Sequence, residues 1–291
     1  MREISLVNGD PGSGKTTLIL AVIADITRGR AIDGGEFIAP PAEVIFQTTE
    51  NSFEGVILPR LDQLGADSMR VNRIEEDGVP LSLMDARIEE AIIQTGAKMF
   101  CADPIQGFVG GISLNTANSV RPIMTHLAGV AERTDCAIVL IGHLNKNGGK
   151  SLYRGLGSID LTASARSVLT VGRVPDDDNM RAVVVTKSNN TTPGASYAFE
   201  IDPVNGFKWY GEYDITVEEI LNGKSSETEK ISRLDEACNL FREILADGAV
   251  PSKEVSDTAK ALGIADKTFN RAKVILGVKS IGLGTRWEMS L

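Results

Sequence analysis

The chain has 291 residues, of which 42% are hydrophobic and 24% are charged, and this balance is typical of a water-soluble globular protein. The formal net charge of −9 excludes a general attraction to nucleic acid, so any contact with phosphate groups must be local. No apolar run reaches the roughly 18 residues of a membrane-spanning helix, and the N-terminus lacks the features of a secretory signal. The three cysteines do not have the spacing of metal ligands. We therefore expect a cytoplasmic protein that does not contact membranes.

Short apolar runs alternate with longer amphipathic ones through the first 210 residues. The apolar runs predict buried strands and the amphipathic runs predict helices. The predicted strands are "ISLV", "EVIFQT", "KMFCAD" and "CAIVLIG", and the predicted helices are 15–28, 52–64, 85–95 and 117–133. Pro59 should kink or shorten the second helix. This alternation predicts an α/β fold with a mostly parallel sheet and right-handed crossovers.

From about residue 165 the pattern changes to short strands separated by turn residues. The runs "SVLTVGR", "RAVVVTK", "YAFEI" and "GFKWYG" predict an antiparallel extension of the same sheet. The stretch 213–232 is polar and poor in aromatic residues, which predicts a linker. It would separate an α/β domain, 1–212, from a small C-terminal domain, 233–291.

A phosphate-binding motif stands between the first predicted strand and the first predicted helix. "GDPGSGKT", 9–16, fits the pattern G-x-x-x-x-G-K-[ST], in which glycines let backbone N–H groups surround phosphate oxygens. Lys15 can reach the β- and γ-phosphates of ATP, and the Thr16 hydroxyl can bind Mg²⁺. The alternative is a chance match in a glycine-rich chain, but the strand–loop–helix context favours nucleotide binding. The residues predicted to bind ATP are Gly9, Asp10, Pro11, Gly12, Ser13, Gly14, Lys15, Thr16 and Thr17.

Polar residues follow three of the predicted strands, where ligands of parallel sheets bind. Asp103 ends "KMFCAD" and is predicted to hold Mg²⁺. Glu50 follows "VIFQTT" and is predicted to orient and deprotonate water, because Pro104 occupies the position after Asp103 where many ATPases have this Glu. His143 ends "CAIVLIGH" and is predicted to sense the γ-phosphate or to pass that signal to the loop that follows. The alternatives are that Asp103 is an ordinary strand end, that Glu50 is a helix cap or a solvated loop acid, and that His143 is a surface histidine.

With these pieces the chain resembles the RecA-like ATPases, particularly the hexameric replicative helicases of the RepA and DnaB type. The matching stretches are "GDPGSGKTT", "FQTTEN", "FCADPIQGF", "IGHLNKNGGKSLYRGLGSIDLTASARSVLTVGR" and "VVVTKSNNTTPG", and they occur in family order over most of residues 1–210. The resemblance implies a RecA-like core that hydrolyses ATP with Mg²⁺ at the interfaces of a homo-oligomer, with a hexamer favoured. It also implies that Glu50 is the catalytic base, that Asp103 is the metal-shell acid and that His143 relays the nucleotide state.

The resemblance further implies contacts with single-stranded DNA. The glycine-bearing stretches 107–120 and 145–158 correspond to loops that face the central channel of a ring. Lys146, Lys150 and Arg154 supply positive charge in the second stretch, and each phosphate contact would make binding depend on salt. Without the resemblance these are long loops with ordinary surface charges.

Lys187 is similar to the basic residue that a subunit of this family inserts into the site of its neighbour. There it stabilises the charge that develops on the transferred phosphate. Relatives of the DnaB type have an Arg just after this position, where this chain has Ser188 and Asn189. The open alternatives are therefore that Lys187 acts alone and that Arg173 assists it.

The last 59 residues predict a winged helix-turn-helix. "PSKEVSDTAKALGI" would be its first helix, "ADKTFNRAKVILG" its recognition helix and "VKSIGLGTRWEMS" its wing, while Leu234, Ala237, Phe241 and Leu245 give the preceding helix an apolar face. From Lys260 onward six basic residues oppose two acidic ones, which reverses the charge of the whole chain. The residues predicted to contact DNA here are Lys267, Asn270, Arg271 and Lys273. The alternative is a module that binds a protein partner.

The sequence is compatible with three functions. The favoured one is a DNA-dependent ATPase, an oligomeric motor or replicative helicase of a mobile element. The second is an ATP-switched regulator that clamps duplex DNA through the C-terminal domain without translocation. The third, a P-loop enzyme acting on a small molecule, is disfavoured by the basic C-terminal domain and by the lack of an Arg-rich lid.

Overall fold

Two units, each with its own hydrophobic core, divide the chain into Met1–Gly223 and Lys224–Leu291. The division falls inside the predicted linker, 213–232. The computed structural model describes residues 3–32, 39–114, 116–143, 159–175, 177–188, 195–202, 206–222, 233–246, 248–262, 264, 266–283 and 286–290.

Nine strands of the first unit form one sheet. They are β1 (Ile4–Gly9), β2 (Val44–Thr48), β3 (Val71–Asn72), β4 (Met99–Asp103), β5 (Ala137–His143), β6 (Ser167–Arg173), β7 (Met180–Ser188), β8 (Ser196–Asp202) and β9 (Gly206–Glu212). Their order in the sheet is β3-β2-β4-β5-β1-β6-β7-β8-β9. All pairs from β3 to β6 are parallel, and all pairs from β6 to β9 are antiparallel. The predicted α/β fold, with a mostly parallel sheet and an antiparallel extension, is confirmed.

The described residues of the first unit form six α-helices. They are α1 (Lys15–Arg28), α2 (Leu58–Gln63), α3 (Ala86–Thr95), α4 (Ala117–Thr134), α5 (Ile159–Ser164) and α6 (Val217–Asn222). The first four lie close to the predicted helices, whereas α5 and α6 lie outside them. Before α2 the chain makes a π-helical turn, Phe53–Ile57, in which the Leu58 N–H donates to the carbonyl of Phe53. Pro59 falls in the first turn of α2, where a missing N–H costs nothing. The predicted second helix is therefore present, but its regular α-helical part is short.

Two apolar clusters cover the two faces of this sheet. On one face, β-strand residues such as Leu6 and Phe100 pack with α3 and α4. On the other face, their neighbours Val7 and Cys101 pack with α1 and α2. All five residues of β4 are buried, because a parallel strand with helices on both sides has no face in water.

The described part of the predicted linker, 213–222, packs against the sheet. Ile215, Val217 and Ile220 are buried with Val174, which follows β6, and with Ala182 and Val184 of β7. A Cβ on Gly172 of β6 would lie 2.6 Å from the carbonyl oxygen of Ile220, so the close approach of α6 requires a glycine there. Residues 223–232 lie outside the described part of the chain.

The second unit contains three helices and a small sheet among its described residues. In chain order its elements are α7 (Arg233–Ile244), β10 (Val250–Pro251), α8 (Ser252–Ala261), α9 (Asp266–Ile275), β11 (Lys279–Leu283) and β12 (Arg286–Ser290). β12 lies between β10 and β11 and is antiparallel to both. The rings of Phe241 on α7 and Phe269 on α9 lie 4.8 Å apart at the centre of the core. Of the predicted apolar face of α7, Ala237, Phe241 and Leu245 are buried, and the Leu234 side chain is outside the described atoms.

Across the described residues of both units, every helix is too short or too polar to cross a bilayer.

Candidate active site

A glycine loop connects β1 to α1 and lies tightly against the sheet. Gly12 and Gly14 have φ angles of +73° and +96°, a backbone conformation that favours glycine. A Cβ on Gly9 would lie 2.3 Å from the carbonyl oxygen of Val171, and one on Gly14 would lie 2.7 Å from Cδ1 of Ile201. The glycines of the predicted motif are therefore required by positive φ angles and by contacts with β6 and β8.

The loop encloses a buried cation and an unpaired hydroxyl. Lys15 is 5% exposed, and its Nζ donates to the carbonyl oxygens of Gly9 and Asp10 at 2.9 Å each. Burial lowers the pKa of Lys15, while the nearby carboxylates of Asp103, Asp10 and Glu50 act in the opposite direction. Ser13 Oγ is buried and has no hydrogen-bond partner in the described part of the chain. An N–H-rich loop at a helix N-terminus with these two groups fits a bound phosphate chain.

Asp103 meets Thr16 at the carboxyl end of β4. The Thr16 hydroxyl donates to Oδ2 of Asp103 at 2.6 Å, and Asp103 is 4% exposed. Burial raises the pKa of Asp103 and the charge of Glu50 raises it further, whereas the Thr16 hydrogen bond, Lys15 and His143 oppose the shift. A hydroxyl and a carboxylate beside a phosphate loop are oxygen ligands that suit Mg²⁺.

The described side chains do not form a metal site by themselves. No group of three or more His, Cys, Asp or Glu side chains among them could hold a metal ion. Thr16 and Asp103 therefore suit a Mg²⁺ ion that would take its other ligands from nucleotide phosphates and water, as is usual for this ion.

Glu50 and His143 lie at the same sheet edge. Thr48, at the end of β2, is in register with Asp103, and the Thr49 N–H donates to the Asp103 carbonyl at 3.2 Å. The Glu50 side chain is 53% exposed, and its Oε1 lies 3.5 Å from Nε2 of His143. His143 ends β5 in register with Gly9, and its Nδ1 is buried without a partner among the described atoms. The structure thus brings the three predicted strand-end residues together around the loop, while their individual roles stay predictions.

Lys187 lies away from this edge. It pairs with Val168 near the start of β6, whereas the phosphate loop follows the end of β1. Its Nζ donates to the carbonyl oxygens of Thr162, Ala163 and Ala165 at 3.0, 2.6 and 2.7 Å, which closes the C-terminal end of α5. Burial lowers the pKa of Lys187, and the nearby Arg166 acts in the same direction. Lys187 therefore cannot serve the phosphate loop of its own chain, and its predicted action on a neighbour stays a prediction.

The predicted DNA contacts fall mostly on positions that the structure does not describe. Residues 144–158, with Lys146, Lys150 and Arg154, lie outside the described part, as do the side chains of Lys267 and Arg271. On α9, Asn270 is exposed, and Lys273 Nζ donates to Ser280 Oγ on β11 at 2.6 Å. The first predicted loop, 107–120, is described except for residue 115.

Sequence reasoning missed two features of the site. Arg181 on β7 is buried, and its Cγ lies 3.7 Å from the position of a Cβ on Gly14, so it borders the phosphate loop. Its Nη1 donates to two backbone carbonyls and its Nε has no partner among the described atoms. Gly107, the second feature, contacts Thr49 next to Glu50. The local signal for Arg181 was a charged residue at the start of an apolar strand. The local signal for Gly107 was a glycine soon after Asp103.

A parallel strand, a glycine loop with a buried lysine, a helix, and an acid on a neighbouring strand define a P-loop ATPase of the RecA-like class. The chain belongs to the family described as AAA domain, which matches residues 1–149. The matched range includes the phosphate loop, Glu50, Asp103 and His143, and it ends before Lys187.

Similarity to curated proteins covers the same part of the chain. DNA repair protein RadA of Salmonella typhimurium is 27% identical over 146 residues, which is 49% of this chain and 28% of the relative. The RadA proteins of Escherichia coli and Haemophilus influenzae are 26% identical over 146 residues and 25% identical over 145 residues, again with 49% and 28% covered. The alignments thus span less than a third of each relative. Together with the family match they support an ATP-hydrolysing RecA-like core.

Proposed function

We propose that the protein is a DNA-dependent ATPase, an oligomeric RecA-like motor or replicative helicase of a mobile element that acts on single-stranded DNA. The observation that carries this proposal is the meeting of Lys15, Thr16, Asp103, Glu50 and His143 at one edge of the parallel sheet. The relatives named DNA repair protein RadA support DNA as the partner.

Binding of ATP begins with the glycine loop. Its backbone N–H groups and the Ser13 hydroxyl, which has no partner among the described atoms, donate to phosphate oxygens. Lys15 exchanges the carbonyls of Gly9 and Asp10 for phosphate oxygens, which are negatively charged and therefore stronger acceptors. The helix dipole of α1 has its positive end at the N-terminus, and this positive end attracts the same phosphates.

Thr16 and Asp103 would hold Mg²⁺. The Thr16 hydroxyl hydrogen is already directed at Asp103, which leaves the oxygen lone pairs of Thr16 free to bind the ion. When bound, Mg²⁺ supplies positive charge that neutralises the β- and γ-phosphate oxygens. Asp103 accepts from the Thr16 hydroxyl and would also accept from water in the shell of the ion.

Glu50 orients and deprotonates the attacking water. Its carboxylate is exposed at the same sheet edge as Asp103 and His143, so it can face the terminal phosphate across a water molecule. His143, whose Nε2 contacts Glu50, begins the stretch that leads into the second predicted DNA loop. It therefore joins the hydrolytic residue to the segment that would hold DNA.

A basic residue from a neighbouring subunit would complete the site at the interface of a ring, for which a hexamer is favoured. Lys187 is proposed for this role, with Arg173 as the assisting candidate. Lys187 faces away from its own phosphate loop, as a residue acting on a neighbour must, but it would have to leave three carbonyls of α5. Arg173 is exposed at the end of β6, on the side of the phosphate loop.

We further propose that the second unit is a winged helix-turn-helix that binds duplex DNA. Its order of α7, β10, α8, α9, β11 and β12, with β11 and β12 as a hairpin, supports this assignment. α9 would be the recognition helix and carries exposed Asn270. This separate unit, with its basic excess from Lys260 onward, also supports the second candidate, an ATP-switched regulator that clamps duplex DNA without translocation.

One set of measurements tests these functions. ATP turnover is measured with single-stranded DNA, with duplex DNA and without DNA, together with strand displacement and mass by light scattering. A motor should be stimulated by single strands, should displace a strand and should form an oligomer. A regulator should turn over slowly and respond to duplex containing its site. Turnover that is independent of both DNA forms would overturn both proposals.

A further inference from the structure

The turn after β4 packs directly against the segment that carries Glu50. Gly107 lies in a 3₁₀ turn, Ile105–Phe108, and a Cβ there would lie 2.1 Å from Oγ1, 2.8 Å from Cγ2 and 2.9 Å from Cβ of Thr49. Rotating the Thr49 side chain would not relieve this overlap, because the Cβ of Thr49 is itself too close. Only a glycine lets the two backbone segments approach in this way.

Thr49 is held from both sides. Its N–H donates to the Asp103 carbonyl at 3.2 Å, and the Glu50 N–H donates to Thr48 Oγ1 at 3.3 Å. Gly107 is fixed in turn, because its N–H donates to the Pro104 carbonyl at 3.0 Å. Among the described residues, the Glu50 carboxylate makes only the long contact with His143, so the backbone at Thr49 sets its direction.

On its other side Gly107 leads into an exposed loop. Phe108 is buried in the core, and its carbonyl accepts from the Leu83 N–H at 2.9 Å. Gly110 and Gly111 follow with φ angles of +58° and +81°, and both are exposed. Phe108 thus anchors the turn next to Gly107, while residues 110–113 reach the surface and belong to the first predicted DNA loop.

We propose that the contact of Gly107 with Thr49 is a positioning contact that couples loop 107–114, of which residues 110–113 are exposed, to Glu50. A polynucleotide backbone bound to this loop would shift the turn against Thr49 and thereby change the direction of the Glu50 carboxylate. This inference deepens the proposed function and rests on it, since it takes Glu50 as the residue that orients water. Gly107 and Thr49 act through Glu50 and touch neither ATP nor metal.

The test is Gly107→Ala. The added methyl group requires the Thr49 hydroxyl to move by about 1.3 Å to reach an ordinary contact of 3.4 Å, and Cβ–Cβ overlap forces the backbone to follow. A displacement of this size should lower kcat about 10- to 100-fold. Nucleotide affinity should not change, because the phosphate loop is untouched, and stimulation of turnover by single-stranded DNA should be lost.

Rescue separates positioning from general damage. Thr49→Gly removes all three overlapping atoms, so the Gly107→Ala/Thr49→Gly double variant should recover the kcat and the DNA stimulation of Thr49→Gly alone. Thr49→Ala keeps the Cβ at 2.9 Å and should rescue only in part. Gly129→Ala in α4 is the matched control, because its Cβ would meet only the flexible end of Arg133. Failure of the double variant to recover would overturn the proposal, as would an equal loss of nucleotide affinity in Gly107→Ala.

A readout without ATP distinguishes this inference from the proposed function. Hydrogen exchange at the Thr49 amide should be faster in Gly107→Ala than in the wild type, because its bond to Asp103 is displaced. Adding a single-stranded oligodeoxynucleotide should change this exchange in the wild type and not in the variant. Wild-type turnover that ignores DNA would overturn the proposed function, whereas unchanged Thr49 exchange in Gly107→Ala would overturn the contact itself.

Discussion

Glu50→Gln removes a proton acceptor while keeping the size of the side chain. The Glu50 side chain is 53% exposed and its contact with His143 is long, so the fold should not depend on its charge. No hydrogen bond joins it to the described atoms of the phosphate loop, and we therefore expect nucleotide affinity to be preserved. Turnover should fall, because the neutral amide cannot take a proton from water.

The expected size of this loss follows from the role assigned to Glu50. A positioned general base contributes about 10²- to 10⁴-fold, which corresponds to about 3–5 kcal/mol of barrier. Phosphate release at saturating Mg²⁺ and ATP measures turnover. Trp209 fluorescence can report binding, because its ring lies 5.8 Å from that of Phe199, and Phe199 borders Gly14.

Glu54→Gln is the matched control. Glu54 is also an exposed carboxylate, at 63%, and its Oε1 lies 2.8 Å from Nη1 of Arg73, away from the loop. It should retain wild-type turnover, since exposed ion pairs contribute little. If Glu50→Gln retained more than about a tenth of wild-type turnover, well above the range for a lost base, the assignment of Glu50 would be refuted.

Further predictions concern the metal, a helix cap, the interface and a thiol. Asp103→Asn should abolish the Mg²⁺ dependence of ATP affinity, as measured by calorimetry with and without the metal, because the amide can still accept from Thr16 but carries no charge. Asp85 caps α3, and its hydrogen bonds with Arg87 lower its pKa, so its stabilisation is present above the unfolded pKa and is lost as pH falls through the folded pKa. Denaturant unfolding should show Asp85→Ala less stable by about 1 kcal/mol at neutral pH and Asp85→Asn less affected, with the difference from wild type shrinking in acid. Lys187→Met should lower the thermal midpoint by freeing three carbonyls, and mixing it with Lys15→Met subunits should restore some turnover if Lys187 acts on a neighbour. Burial raises the pKa of Cys136 to about 12, so native protein at pH 8 should resist thiol labelling there until it unfolds.

The central strands could be predicted because their physics is local. A parallel strand between two helical layers is apolar along its whole length, so β1, β2, β4 and β5 stand out as runs. β3 has only two residues and no periodicity to detect. The sequence predicts a linker where α6 lies, because "ITVEEIL" is short and mixes polar with apolar residues. The position of α6 depends on its close approach to Gly172, which precedes Ile220 by 48 residues.

The residues of the candidate site also fall into some that local sequence predicts and others that depend on distant contacts. The phosphate loop is a local motif, and the acids were found because parallel strands end at one edge, which places Glu50 and Asp103 together without knowledge of any contact. The three carbonyls that Lys187 binds were not predictable, because they depend on where α5 ends beside β7. The same holds for Gly107 and Thr49, which no spacing rule connects.

The electrostatics of the site explain why nucleotide and metal should bind together. Burial lowers the pKa of Lys15 and the carboxylates of Asp103 and Glu50 oppose this shift, but the same carboxylates would repel a phosphate chain that approaches without a metal. Bound Mg²⁺ would reverse the sign of this interaction, because Thr16 and Asp103 would then hold a cation that attracts the phosphates, as Lys15 does. Burial of Asp103 and Lys15 makes both effects larger than they would be in water. We therefore expect a site of this kind to bind the Mg²⁺–nucleotide complex as one unit and to leave the exposed Glu50 as the negative group that faces water.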